Sequence, residues 1–278
     1  MTYFVCMGDS FNSLRSDIAT ACLFIRKHIA NEMELRFSFG LQVFGMVLNN
    51  MSLVLIWVFF FKAFGEVNRW SVAETVALQG FIALVFGIAF GFFEGVWALP
   101  RRVHYGTFDS VLLAPMGLYF RILSDKVRPS AFGDMVFGII LLVIYCVMTH
   151  PTIIQFVLLI GMIVPATLIL INVSLASTLL AFVVPDAEAI AESVFEIFFS
   201  PSLYPSSLYS GTLRFVFIFG IPSLAIGGLP VEVVRDVKFE WFLVVWGLAI
   251  FWALLANFLL RKAVRRYESG NLIGSRSA

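Results

Sequence analysis

Side chains able to do chemistry are few in this chain, and their spacing decides what they could do. A serine nucleophile stands in "GDSF" at Gly8 to Phe11, but it needs a histidine base within hydrogen-bond reach. His28, His104 and His150 are scattered and form no Asp/His pairing, which argues equally against acyl transfer and against a metal site. Glu74 and Asp134 sit near the ends of apolar runs, where carboxylates are ordinary. An intramembrane enzyme acting on lipids would need such groups to converge at one depth. Asn49 and Asn50 fall mid-run, where an unpaired amide costs a few kcal/mol in hydrocarbon. They fit either an interhelical hydrogen bond or a polar spot on a transport path. No G-x-x-x-x-G-K-[ST] loop is present, so the chain cannot cradle nucleotide phosphates in that manner. Energy for any active transport must come from elsewhere.

The densest polar feature is "GTFDSVLLAP", Gly106 to Pro115, flanked by Arg101, Arg102, His104, Arg121, Lys126 and Arg128. What positions it follows from composition. The 278 residues are 60% hydrophobic and 13% charged, with mean hydropathy +0.94, more apolar surface than one water-soluble core can hide. Helix-length apolar runs lie at 40–61, 72–93, 131–149, 153–184, 215–229 and 241–260. They predict an all-α membrane protein with six transmembrane helices rather than a barrel. The fourth run is long for one bilayer crossing, and Pro165 is expected to kink it.

Basic residues arbitrate the topology. With six spans and both termini inside, all but Lys62, Arg69, Arg235 and Lys238 of the 19 basic residues fall on the cytoplasmic side, Arg214 and Arg276 among them. The net charge of +1 is spread over membrane flanks and does not point to nucleic acid. Cys6, Cys22 and Cys146 show no disulfide spacing and read as free thiols. No cleavable signal peptide is visible, so the first span is expected to direct insertion. The triplets at Asn50 and Asn172 that match a glycosylation acceptor lie inside spans and are chance.

Before the first span, Ile18, Cys22, Ile25, Ile29 and Met33 recur at helical spacing while Lys27, Asn31 and Glu34 fall elsewhere. This predicts an amphipathic elbow helix along the inner membrane surface, or a helix packed on a soluble partner. Gly87, Gly91 and Gly95 sit four apart and would let another helix approach, from this chain or a second protomer. After the fourth run, Glu188, Glu192 and Glu196 form an acidic stripe on a predicted second surface helix, a solvated face or a contact for a basic partner. Pro222, Gly227 and Gly228 interrupt the fifth run, so a bent or re-entrant end, suited to a gate or a loop, is expected there.

The segment between the second and third runs, 94–130, is far longer than a helix connection needs, which implies that something docks on it. Phe108, Val111, Leu112 and Leu113 can form an apolar edge on a short helix starting near Thr107, with Asp109 in its first turn and Pro115 stopping it.

These residues carry a resemblance. "GTFDSVLLAP" is similar to the G-T-[LF]-[DE]-x-[LV]-L-x-x-P signature after the second span of ABC (ATP-binding cassette) type 2 permeases. "YPSSLYSGTLRFVFIFGIPSLAI" from Tyr204 and "RRYESG" from Arg265 resemble the subgroup whose permeases are often encoded as pairs. Ala114 stands where members of that subgroup often carry Arg. The resemblance implies a domain plan of residues 1–39 (elbow region), 40–260 (transmembrane, with coupling segment 94–130) and 261–278 (cytoplasmic tail). It implies that Arg101 to Pro115 forms a coupling helix, with Arg101, Arg102, Gly106, Thr107, Phe108, Asp109, Leu112, Leu113 and Pro115 meeting a separate ATPase. The chain would bind no cofactor itself, with ATP and Mg on two copies of that ATPase. It would be a non-catalytic subunit of a bacterial inner-membrane exporter, in contact with membrane lipid and a second protomer, identical or paralogous. The rival readings are an intramembrane lipid-modifying enzyme and a passive membrane scaffold. The abundant Phe suits an apolar or amphiphilic cargo but also lipid-facing packing.

Overall fold

A computed structural model describes residues 10–66, 70–114, 116–184 and 187–267, with side chains from residue 15 onward. Cys6, Arg69, Pro115, Arg276 and parts of the "GDSF" and "RRYESG" runs lie outside the described residues. Among the described residues five helices are long and apolar enough to cross a membrane. They are α2 (Arg36–Phe64), α3 (Val72–Phe93), α7 (Ala131–Thr149), α8 (Ile153–Thr178, extended by a 3-10 turn to Phe182) and α12 (Phe239–Val264). The fourth predicted run is one helical element with Pro165 inside it.

Helix α3 is the centre of the bundle, buried along most of its length and antiparallel to α7. The close approach depends on missing side chains. A Cβ at Gly87 would lie 2.5 Å from the Met135 backbone nitrogen, and one at Gly138 would lie 2.5 Å from that of Leu84. Gly87 therefore packs within the chain. Gly91 is looser, with Met135 Sδ at 3.6 Å from the same test position. Gly95 leaves this face altogether, because α3 stops at Phe93 and Glu94 turns the chain into α4 (Gly95–His104). Overpacking such a contact costs about 1–3 kcal/mol. We expect Gly87→Val to lower the aggregation temperature of the detergent-purified protein by several degrees, while Gly45→Ala, whose Cβ meets open space, leaves it unchanged.

On the other flank α8 pairs with α12, burying Leu158, Met162 and Ile169 with Val245, Ala249 and Ala256. Helix α2 lies outermost, resting on α7, and presents Phe44, Leu48, Ile56 and Phe59 outward. Such a surface is stable only against lipid or another apolar face.

The fifth predicted span, 215–229, is not a continuous helix. The chain leaves the 3-10 turn after α8, forms α9 (Ala187–Phe199), then short turns to Leu208, α10 (Gly211–Phe215) with a π turn to Gly220, and α11 (Gly228–Asp236). Pro222 supplies no amide proton, and Ile221 and Gly227 leave helical geometry on either side of it. A Cβ at Gly227 would collide with the Ser202 carbonyl, so the return of the chain to its own earlier turn requires glycine there. Helix α9 is also not a detached surface helix. Ala187, Ala191, Phe195 and Phe198 are buried, and Phe195 lies against Phe90 and Trp97. Glu188, Glu192 and Glu196 face outward.

Helix α1 (Ser10–Glu34) meets the bundle through Ala21 and Phe24, with the Arg121 guanidinium 4.7 Å from the Phe24 ring centre. The chain breaks at Leu35 before α2. Helix α1, segment 94–130 and the end of α12 all gather at one end of the bundle.

Candidate functional site

The end of the bundle formed by segment 94–130 is built by charge and then by aromatics. Helix α4 carries Arg101 and Arg102 in its last turn, where the helix dipole favours cations. Gly106, at φ +69°, reverses the chain in a conformation costly for residues with a Cβ. A single helical turn, α5 (Asp109–Leu112), follows, and then α6 (Leu118–Leu123). The Thr107 hydroxyl donates to the Arg102 carbonyl (3.4 Å), and Ser110 Oγ donates to the Thr107 carbonyl (2.7 Å). Arg102 and Arg121 both pair with buried Asp125, Arg121 at 2.9 Å. Glu94 pairs with Arg128 at 2.7 Å. Burial pushes the Glu94 carboxyl up, and the Arg128 charge opposes that shift. A Cβ on Gly95 would collide with the Ile122 carbonyl, which locks α4 onto α6. Arg101 reaches outward to Glu188 of α9 at 3.3 Å.

The predicted apolar edge splits in two. Phe108 is 0% exposed and Val111 is buried, so these two belong to the chain's own interior. Phe108 stands edge-on to Phe182 at 5.3 Å and to Tyr267 at 5.1 Å between ring centres, and those two rings are 6.0 Å apart. The helical turn starts at Asp109 with Phe108 as its N-cap, whose carbonyl accepts from the Leu112 N–H at 3.2 Å. Burial and the neighbouring Asp109 charge push the Tyr267 phenol up. Leu112 and Leu113 remain outside at 42% and 84% exposure, beside exposed Tyr105. The turn thus has an apolar outer surface and an aromatic root that touches the ends of α8 and α12.

The other sequence candidates separate. Asn50 Nδ2 donates to Asp134 Oδ1 at 2.6 Å, tying α2 to α7, while Asn49 is exposed. Glu74 closes the N-terminus of α3, accepting from the Ser71 backbone N–H at 2.9 Å. Because α3 and α7 are antiparallel, Glu74 and Asp134 occupy opposite ends of the bundle and form no carboxylate pair. Among the described residues no group of three His, Cys, Asp or Glu could hold a metal.

Sequence reasoning missed two polar contacts. Tyr119 of α6 donates to buried Asn172 of α8 at 2.9 Å, tying segment 94–130 to a membrane-length helix. At the opposite end Arg214 pairs with Glu232 of α11 at 2.6 Å, and Ser206 donates to the same carboxylate. The neighbouring Arg235 carbonyl accepts from Gln155 at the start of α8, which fixes the depth of this pair. Arg214 therefore lies at the end away from segment 94–130, contrary to its assignment beside the other cytoplasmic basic residues. The available signal was Glu232, an acid set between the valines of "PVEVV".

No curated protein and no solved structure matches the chain significantly. A family model described as "ABC-2 family transporter protein" matches residues 46–271, most of the chain and all of the site just described. With its all-helical bundle and five membrane-length helices, the chain belongs to the ABC-2 family of transporter proteins.

Proposed function

We propose that this chain is the non-catalytic permease subunit of an ATP-driven exporter, docked at its α4–α6 end by a separate ATPase. The reading rests on one observation: Leu112 and Leu113 lie outside on a turn whose root, Phe108, is packed against the ends of two membrane helices. An exposed apolar pair on a rigid one-turn lever suits a protein cleft better than water. Movement of that pair must displace Phe182 and Tyr267, and with them α8 and α12. The ATPase, in two copies, carries ATP and Mg. Two permease protomers, identical or paralogous, frame the path between them.

The α4–α6 end faces the cytoplasm in this proposal, at the inner membrane of a bacterium. Its basic residues, Arg101, Arg102, Arg121, Lys126 and Arg128, with Arg261 to Arg266 of the tail, follow the positive-inside bias even after Arg214 is moved to the other end. Six crossings result if α9 to α11 jointly make the fifth, since the chain must return from the end of α8 to the start of α12 at the opposite end.

The test is retention of the ATPase. The tagged permease, purified from cells producing it together with its candidate ABC ATPase subunit, should carry that subunit through gel filtration. The double variant Leu112→Asp/Leu113→Asp should lose it, with the permease itself still monodisperse because neither side chain is buried. Retention by the double variant, or absence from the parent complex, would refute the docking proposal.

A further inference from the structure

Helix α1 presents two adjacent faces to the bundle. One is packed: Ala21 is buried, and Phe24 lies under Arg121 of α6. On the other, Cys22, Ile25, Arg26 and Ile29 recur at the i, i+3, i+4, i+7 spacing of one helix stripe. This stripe does not close on the protein. It overhangs an open groove of about 390 Å³ whose far wall is Phe92 and Phe93, the last residues of membrane-length helix α3.

That position defines the depth. Phe93 is the last residue of the apolar stretch, and the next residue is Glu94, ion-paired to Arg128. The groove therefore opens where hydrocarbon meets the polar boundary. Its walls are apolar save for one exposed guanidinium, that of Arg26, with Lys27 following it on the helix. An occupant needs a long apolar tail for Ile25, Ile29, Phe92 and Phe93 and an anion for Arg26, whose planar fork suits phosphate. The carboxylates of the same helix are Asp17, directed at Gly117 in the packed contact, and Glu32 and Glu34 beyond the stripe. Neither set removes the positive character of the groove.

We propose that this groove is a binding site for an anionic phospholipid, with one acyl chain between α1 and the end of α3 and the phosphate on Arg26. A lipid held there completes the contact that α1 makes only along one face. The site is independent of the ATPase and of the cargo.

Cys22, which lines the groove and is exposed, reports occupancy. In a Cys6→Ser/Cys146→Ser background in detergent, its maleimide labelling should slow at least about fivefold on adding dioleoyl phosphatidylglycerol. Phosphatidylcholine should give a smaller effect, and glycerol phosphate, which lacks the tail, should give none. Arg26→Gln should erase the difference between the two lipids and Arg26→Lys should keep most of it, which separates loss of the site from loss of the fold. Ile29→Trp, filling the groove, should make labelling slow with or without lipid. Equal protection by both lipids, the same lipid dependence in Arg26→Gln, or a rate set by protein concentration rather than lipid would each overturn the proposal. The last would mark the groove as a contact between copies of this chain.

Discussion

Phe108→Ala is expected to cut ATP-driven transport by about 100-fold, the upper range of measured coupling between distant sites, while the ATPase stays bound. The exposed pair proposed to meet the partner, Leu112 and Leu113, is untouched by the substitution. What disappears is the root of the lever, the ring held between Phe182 and Tyr267. Removing a fully buried Phe costs about 3–5 kcal/mol when the cavity persists. Here the turn can collapse around the gap, so the loss falls on transmission as well as on stability. Tyr267→Phe keeps the ring and removes only the hydroxyl, and should retain transport within about threefold, about 0.7 kcal/mol on the same scale. Tyr267→Ala should approach the Phe108→Ala phenotype. Flux and ATP hydrolysis measured together in proteoliposomes check this. Hydrolysis that continues without flux is the expected signature, and intact flux in Phe108→Ala would disprove the route through the aromatic root.

Glu232→Ala carries the second large effect, at the opposite end. It leaves the Arg214 guanidinium of α10 and the Ser206 hydroxyl without the carboxylate of α11 that they share. Stripping one partner from a buried pair costs about 3–5 kcal/mol. Because the Arg214 side chain is 31% exposed and can reach water, the lower end, about 3 kcal/mol, is expected. The purified protein should melt markedly lower and the segment between α9 and α11 should become protease-sensitive. Glu232→Gln should fall between parent and Ala, since an amide still accepts one hydrogen bond. The swap Arg214→Glu/Glu232→Arg should recover part of the loss. Unchanged melting in Glu232→Ala would show that the pair does not hold α10 to α11.

The five long helices were readable because lipid imposes a simple rule, a long apolar run for each crossing. The fifth run met the same average, yet Pro222 and Gly227 break it, and hydropathy over 215–229 does not register where the backbone leaves the helix. Arg214 was misplaced for a related reason: a basic residue next to an apolar run counts as a flank, but here it is partly buried against the Glu232 carboxylate of α11. Within segment 94–130, spacing placed Phe108, Val111, Leu112 and Leu113 on one apolar edge, which the structure divides into a buried pair and an exposed pair. It could not tell which of them another segment covers, since Phe182 and Tyr267 are distant in sequence and meet Phe108 only when α8 and α12 pack together. Gly95 failed for a local reason, the turn at Glu94, that four-residue periodicity ignores.

The most direct measurement places a photo-crosslinking residue at Leu113 in one variant and at His150 in another. Both are exposed, and they lie at opposite ends of the bundle. In membranes containing the candidate ABC ATPase subunit, position 113 should yield a covalent adduct with that subunit, and position 150 should yield none. An adduct from position 150, or none from position 113 while the complex still copurifies, would contradict the account of how ATP hydrolysis reaches this chain.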